Sequence, residues 1–271
     1  VVPLSRFADR FKELEEKGEA AFIPFVVLGD PDFETSFEII KTLIKNGADA
    51  LELGFAFSDP IADGKTVQEA DQRALAAGMD TDKALSLIKK IRAFNKEIPI
   101  SLLVYYNLIL QRGIEKFYSN AKSAGVDAVL AADCPVEEAQ PLLKAAKKSE
   151  IDQVFIVAPT TTESRLKKIL ETANGYIYLV STLGVTGERT SLQNRTIELI
   201  KRVKPHSKLP ICVGFGISTP EHIKGIILAG ADGAIVGSAI INLIKKNAGN
   251  TKAILKSVSS FCVELKKATR P

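Results

Sequence analysis

ADALELGFAFSDPIADGKTVQ, residues 48–68, combines a short apolar run with four acids, Asp49, Glu52, Asp59 and Asp63, placed differently along it. Ala48–Leu53 is the kind of segment that a parallel sheet buries on both faces, yet it holds Glu52 within it. A carboxylate in a core strand is costly to bury without a partner or a task. The run passes into a loop with Asp59 and Asp63. Ser58-Asp59-Pro60 is good turn chemistry, so Asp59 suits a loop-holding role. Asp63, just before Gly64, is freer to face a ligand. Two acids in different environments suit proton transfer at two points of one substrate.

Working outward, the same alternation fills the chain. Strands are expected at Ala21–Val27, Ala50–Leu53, Ile100–Tyr105, Ala128–Ala131, Gln153–Val157, Tyr176–Val180, Ile211–Val213 and Ala234–Val236. Helical periodicity appears over Thr35–Asn46, Glu115–Ala124, Val136–Ser149, Glu163–Thr172, Thr196–Val203 and Pro220–Ala229. Gly-Ala/Val-Asp recurs at Gly47–Asp49, Gly125–Asp127 and Gly230–Asp232, each before a strand, and marks three equivalent helix-to-strand turns. Eight such units over 271 residues predict an α/β fold, a single-domain (β/α)8 TIM barrel spanning 1–271. An open doubly wound sheet is the alternative, disfavoured by even spacing without a second domain or linker. Ser5–Lys17 reads as an extra helix plugging the barrel floor, and Thr251–Thr269 as a final outer helix.

Composition narrows the function. Net charge is +4, with basic residues scattered among acids and no aromatic-interleaved basic stripe, which argues against nucleic acid. No stretch approaches the roughly 18 apolar residues of a membrane span. Cys134, Cys212 and Cys262 are widely spaced without a CxxC, which fits a reducing, cytoplasmic setting. His206 and His222 lack metal-ligand spacing, so no metal is expected.

Barrel active sites lie at the C-terminal ends of the strands. Strand seven ends in Gly214-Phe215-Gly216, followed by Ile217-Ser218-Thr219, and strand eight in Gly237-Ser238 at a helix start. Glycine backbone and a helix N-terminus favour a phosphate. Strand six runs into residues 181–190, a long loop with two glycines that reads as a lid, whose Gly187 could join the phosphate cup. Tyr178 is placed to order a substrate or Glu52. Phe25, Leu103, Tyr105 and Leu130 supply apolar walls. Together these predict a pocket for a flat aromatic ring on a phosphorylated tail.

These residues resemble the tryptophan synthase alpha subunit family, from FIPFVVLGDP (22–31) through LELGFAFSDPIADG (51–64), LLVYYN (102–107), ADCPVEE (132–138), YLVSTLGVTG (178–187) and GFGIS (214–218) to IVGSAI (235–240). The resemblance implies retro-aldol cleavage of indole-3-glycerol phosphate into indole and glyceraldehyde 3-phosphate. Glu52 would be the general acid/base, Asp63 the group handling the indole N–H proton, and Tyr178 a substrate contact near the acid. Thr186 would order Asp63 when the lid closes, and Phe25, Leu103 and Leu130 would wall the indole. Gly187, Gly214, Phe215, Gly216, Gly237 and Ser238 would hold the phosphate. No cofactor is implied for this chain. Pyridoxal phosphate is expected only on a partner beta subunit, in an alpha2-beta2 heterotetramer through which indole passes. Ala56 and Lys65 stand where the family usually has prolines, and Thr182-Leu183 where it usually has Arg-Ser. Loop stiffness changes when prolines are lost, so partner contact is where these departures bear.

Overall fold

The structure, a computed structural model, describes residues 5–180, 189–214 and 216–270, with backbone only for 189–193. Its strands are β1 (Ala21–Val27), β2 (Leu51–Gly54), β3 (Ile100–Val104), β4 (Ala128–Ala131), a two-part β5 (Asp152–Gln153 and Phe155–Val157), β6 (Ile177–Val180), β7 (Ile211–Gly214) and β8 (Gly233–Val236). All pairings are parallel. β1 lies between β2 and β8, and the sheet runs both ways from there to β5. The first part of β5 pairs with β4 and the second with β6, which closes the ring. The expected strand Gln153–Val157 is thus interrupted at Val154. There the Val154 N–H and the Gln153 side-chain amide both donate to the Val129 carbonyl, at 3.0 and 3.1 Å.

The helices are α1 (Arg6–Glu16), α2 (Phe33–Lys45), α3 (Lys65–Ala76), α4 (Thr81–Phe94), α5 (Tyr106–Arg112), α6 (Ile114–Ala124), α7 (Gln140–Ser149), α8 (Glu163–Thr172), α9 (Arg189–Val203), α10 (Pro220–Leu228), α11 (Ser238–Lys246) and α12 (Thr251–Lys267). α2 starts earlier than its periodicity suggests because Asp32 caps it, accepting from the Thr35 N–H at 2.9 Å. α7 starts later, at Gln140, with Pro141 in its first turn, where a missing N–H costs nothing. α3, α4 and α5 were not distinguished by periodicity. α4 carries a readable signal, Asp80 accepting from the Lys83 N–H at 2.8 Å. Among the described residues no helix is long and apolar enough to cross a membrane.

α1 plugs the barrel floor as expected. It buries Phe7, Phe11 and Leu14, and the Phe7 ring centroid lies 5.2 Å from that of Tyr176, just before β6. The three recurrent aspartates share one structural task. Asp49, Asp127 and Asp232 each accept a hydrogen bond from an N–H at the start of a neighbouring strand, those of Phe22 (2.8 Å), Ile100 (2.9 Å) and Ile211 (2.8 Å). Each also meets a cation: Lys266 with Asp49, Arg6 and Arg92 with Asp127, Lys204 with Asp232. These latches tie adjacent strands at the end opposite the candidate site, so the repeated tripeptide belongs to stability and not to chemistry.

Candidate active site

Glu52 lies in β2 and is fully buried. In register it sits between Phe25 of β1 and Ser101 of β3. The Tyr176 hydroxyl lies 2.9 Å from Ser101 Oγ and 3.4 Å from Glu52 Oε1, while Glu52 Oε2 has no hydrogen-bond partner among the described residues. Burial pushes the Glu52 carboxyl up to about 8. The Tyr176 hydroxyl opposes that rise, the charge of Asp63 adds to it, and the Tyr178 hydroxyl opposes it weakly. At neutral pH Glu52 therefore holds its proton and can give it away.

The loop after β2 separates its two acids as the turn chemistry suggests. Asp59 is exposed and accepts from the Ser58 hydroxyl. Asp63 turns inward, and its Oδ2 accepts from the Tyr105 hydroxyl at 2.8 Å. Gln68 on α3 fastens the loop backbone, its amide donating to the Asp63 carbonyl at 2.8 Å. Burial raises the Asp63 carboxyl and the Tyr105 hydroxyl lowers it. A further acid escaped the sequence reading. Asp71 on α3 is buried, its Oδ2 has no partner among the described residues, and burial followed by the Asp63 charge pushes it to about 8. Tyr105 corrects an expectation: it is not a wall of the cavity but a clasp on this loop.

The opposite end of the cavity is built from backbone. Gly216 has φ +71°, a left-handed conformation that glycine adopts without strain. Gly237 caps α11 without any side-chain hydrogen bond, so the first N–H groups of that helix remain available to an anion. Gly237 also has a packing reason, since a Cβ there would lie 2.8 Å from the Phe25 ring; at Gly54 the same ring would be 2.9 Å away. A Cβ on Gly214 would overlap the Tyr178 hydroxyl. Thr219 caps α10, accepting from the His222 N–H at 3.3 Å, and Ser218 lines the cavity.

One cavity joins Phe25, Glu52, Asp63, Leu103 and Tyr178 at its centre with Gly216, Ser218, Gly237 and Ser238 at one end. Val67, Ile217, Ile235 and Ala239 complete it and were missed. Leu130 pairs in register with Leu103 but is buried and does not line this cavity. Thr186, Gly187 and Phe215, with residues 181–188 of the expected lid and the Thr182-Leu183 departure, lie outside the described residues, while the last two residues expected in the lid begin α9. Tyr176 was also missed as the tyrosine nearest Glu52 Oε1. It and Tyr178 are two apart on one strand path, so they share a face, and that spacing was the available signal.

With this geometry in place, comparison with known proteins is decisive. The sequence model of the family described as Tryptophan synthase alpha chain matches residues 11–270. The chain belongs to the tryptophan synthase alpha chain family. A tryptophan synthase alpha chain from Methanothermobacter thermautotrophicus is 55% identical over 262 residues, covering 97% of this chain and 96% of the relative. One from Francisella tularensis is 45% identical, covering 98% of each. Among solved structures, tryptophan synthase subunit alpha from Legionella pneumophila superposes with a TM-score of 0.89 at 33% identity, covering 98% of each chain. A chain of the tryptophan synthase complex from Pyrococcus furiosus gives 0.82 at 34% identity, covering 91% of this chain and 98% of that one. The match in sequence and in fold thus extends over nearly the whole barrel.

Proposed function

We propose that this chain is a carbon–carbon lyase that cleaves indole-3-glycerol phosphate to indole and glyceraldehyde 3-phosphate, the first half-reaction of the last step of tryptophan biosynthesis. The observation that carries the reading is a fully buried Glu52 sharing one cavity with Asp63 and with a helix N-terminus that no side chain caps.

The residues divide the work as follows. The phosphate rests on the backbone of Gly216, Gly237 and Ser238, with Gly187, Gly214 and Phe215 assigned there by family resemblance. The indole lies against Phe25 and Leu103, with Leu130 behind. Glu52 gives its proton to the indole carbon that bears the side chain while Asp63 takes the ring N–H proton. The carbon–carbon bond then breaks as the Glu52 carboxylate takes the side-chain hydroxyl proton. The bonding electrons return to the ring, which recovers its N–H proton from Asp63. Both acids end as they began, so the cycle balances without an added proton or electron. Tyr178 contacts the substrate beside Glu52, and the role of ordering Asp63 is assigned to Thr186 by family resemblance alone. The chain itself uses no cofactor or metal in this scheme.

Family membership implies a beta-subunit partner. We place it on the C-terminal end of the barrel, where Ile61 and Leu110 stand 84% and 50% exposed, and propose an alpha2-beta2 assembly in the cytoplasm, with pyridoxal phosphate on the beta subunit only. Two of the departures from the family pattern, Ala56 and Lys65, flank the loop that carries Ile61. The test is indole release from indole-3-glycerol phosphate with and without a tryptophan synthase beta subunit. Slow release alone and a large rise with the partner is the expected result. Fast release alone would overturn the coupled assembly, and none in either case would overturn the lyase.

A further inference from the structure

Tyr105, just beyond β3, is 2% exposed and makes three contacts with one loop. Its ring stacks on Phe57, with centroids 4.9 Å apart and planes 24° from parallel. Its hydroxyl oxygen accepts from the Ala62 N–H at 2.9 Å. Its hydroxyl proton goes to Asp63 Oδ2 at 2.8 Å. Phe57 precedes the loop tip and Ala62 and Asp63 follow it, so one side chain holds both arms of residues 57–63.

The order of donors fixes more than position. A backbone N–H can only donate, so the Ala62 bond leaves the tyrosine hydroxyl proton pointing away, toward Asp63. Burial and the Asp63 charge hold Tyr105 far above the usual phenol range, so it remains a donor across the working pH. Asp63 Oδ2 is then committed as an acceptor, which favours the carboxylate, and Oδ1 is left for a ligand.

We propose that Tyr105 is a positioning residue for the cleavage reaction, aiming Asp63 into the cavity and reserving its Oδ1 for the ring N–H of the substrate. This rests on the lyase reading above. The ionisable groups that act on Asp63 or feel it are Tyr105 beyond β3, Glu52 on β2, Asp71 on α3 and Tyr178 on β6. Removing the hydroxyl takes away the one group that favours the charged form, so the carboxyl of Asp63 rises.

The test is Tyr105→Phe, which keeps the ring and its stack on Phe57, compared with Asp63→Asn by steady-state indole release across pH. Tyr105→Phe is expected to lower kcat about tenfold, the scale of a misplaced catalytic group, with KM within about threefold, and to move the acid limb of kcat/KM to higher pH. Thermal melting confirms that the variant is folded. If it fails to fold, Phe57→Leu supplies the second arm: it removes the stack but keeps the hydroxyl, and should leave the acid limb in place. An inactive Asp63→Asn beside a Tyr105→Phe with unchanged kcat and acid limb would overturn the positioning role alone. A lower kcat with an unmoved limb would also overturn it, because a merely structural loss leaves the pH profile alone. Near-normal turnover by Asp63→Asn would instead overturn the site reading beneath it.

Discussion

Tyr176 reaches across the barrel so that its hydroxyl lies 3.4 Å from Glu52 Oε1, and its ring rests on Phe7 of the floor helix. The floor is thereby connected to the acid through one side chain. At that distance the hydrogen bond is weak, and Ser101 Oγ is nearer to the same hydroxyl, at 2.9 Å. The hydroxyl still opposes the burial that raises Glu52. Tyr176→Phe should therefore raise the Glu52 carboxyl further and move the basic limb of kcat/KM to higher pH, by less than about one unit given the long contact. A pH–rate profile of the variant checks this, and a limb that moves down would show the hydroxyl acting in the other direction.

Glu52→Gln separates function from stability. Cleavage should fall by about 10²–10⁴-fold, the usual contribution of a general acid/base. Stability should move the opposite way as pH rises. The Glu52 carboxyl is raised in the folded state, so the folded chain binds the extra proton. Stability is then greatest below the ordinary glutamate value of 4.5, falls between there and about 8, and levels off above. Gln cannot ionise and escapes this loss. The melting temperature of Glu52→Gln should therefore gain on the parent from pH 5 to pH 8, as differential scanning fluorimetry at the two pH values would read.

The barrel was legible because alternation of short apolar runs with amphipathic segments is a property of the chain itself. Glu52 was legible because an acid inside such a run has no ordinary reason to be there. Asp59 and Asp63 could be separated by turn chemistry alone. Tyr105 could not, since an aromatic at a strand end looks like a wall until the loop folds back onto its hydroxyl. Asp71 was hidden for a similar reason. On a helix an aspartate reads as solvated, and its burial comes from packing against the loop rather than from local sequence. The Gly-Ala/Val-Asp repeat was visible, but its purpose depends on N–H groups contributed by strands 20 or more residues away.

Gly214→Ala tests the close approach of Tyr178 to β7. The added Cβ would overlap the Tyr178 hydroxyl and lie 2.6 Å from its ring carbon Cε1. The ring is buried and in the cavity wall, so relief must come by moving it toward the substrate space. Overpacking of this kind costs about 1–3 kcal/mol. Activity should drop at least about tenfold through displaced substrate-contacting groups. Indole-release kinetics would show it, and a fully active Gly214→Ala would mean that β7 yields in place of the ring.

The aspartate latches predict an order of stabilities. Asp127 accepts from the Ile100 N–H and pairs with Arg92, whose side chain is 13% exposed, as well as with Arg6. Asp127→Ala removes the counter-charge of a largely buried guanidinium, which keeps only backbone carbonyls such as those of Gly125 and Ile98, and leaves a strand N–H unpaired, so it should cost about 3 kcal/mol. Asp232 also accepts a strand N–H, but its partner Lys204 is 43% exposed and can return to water. Asp232→Ala should cost nearer about 1 kcal/mol. At roughly 2–4 °C per kcal/mol for a chain of this size, the two melting temperatures should separate clearly, with Asp127→Ala the lower. Both lie at the floor, away from Glu52 and Asp63, so kcat at a temperature where each variant is folded should match the parent. Equal melting temperatures would show that the shared N–H bond, and not the buried cation, sets the strength of these latches, and a reversal would overturn the ordering.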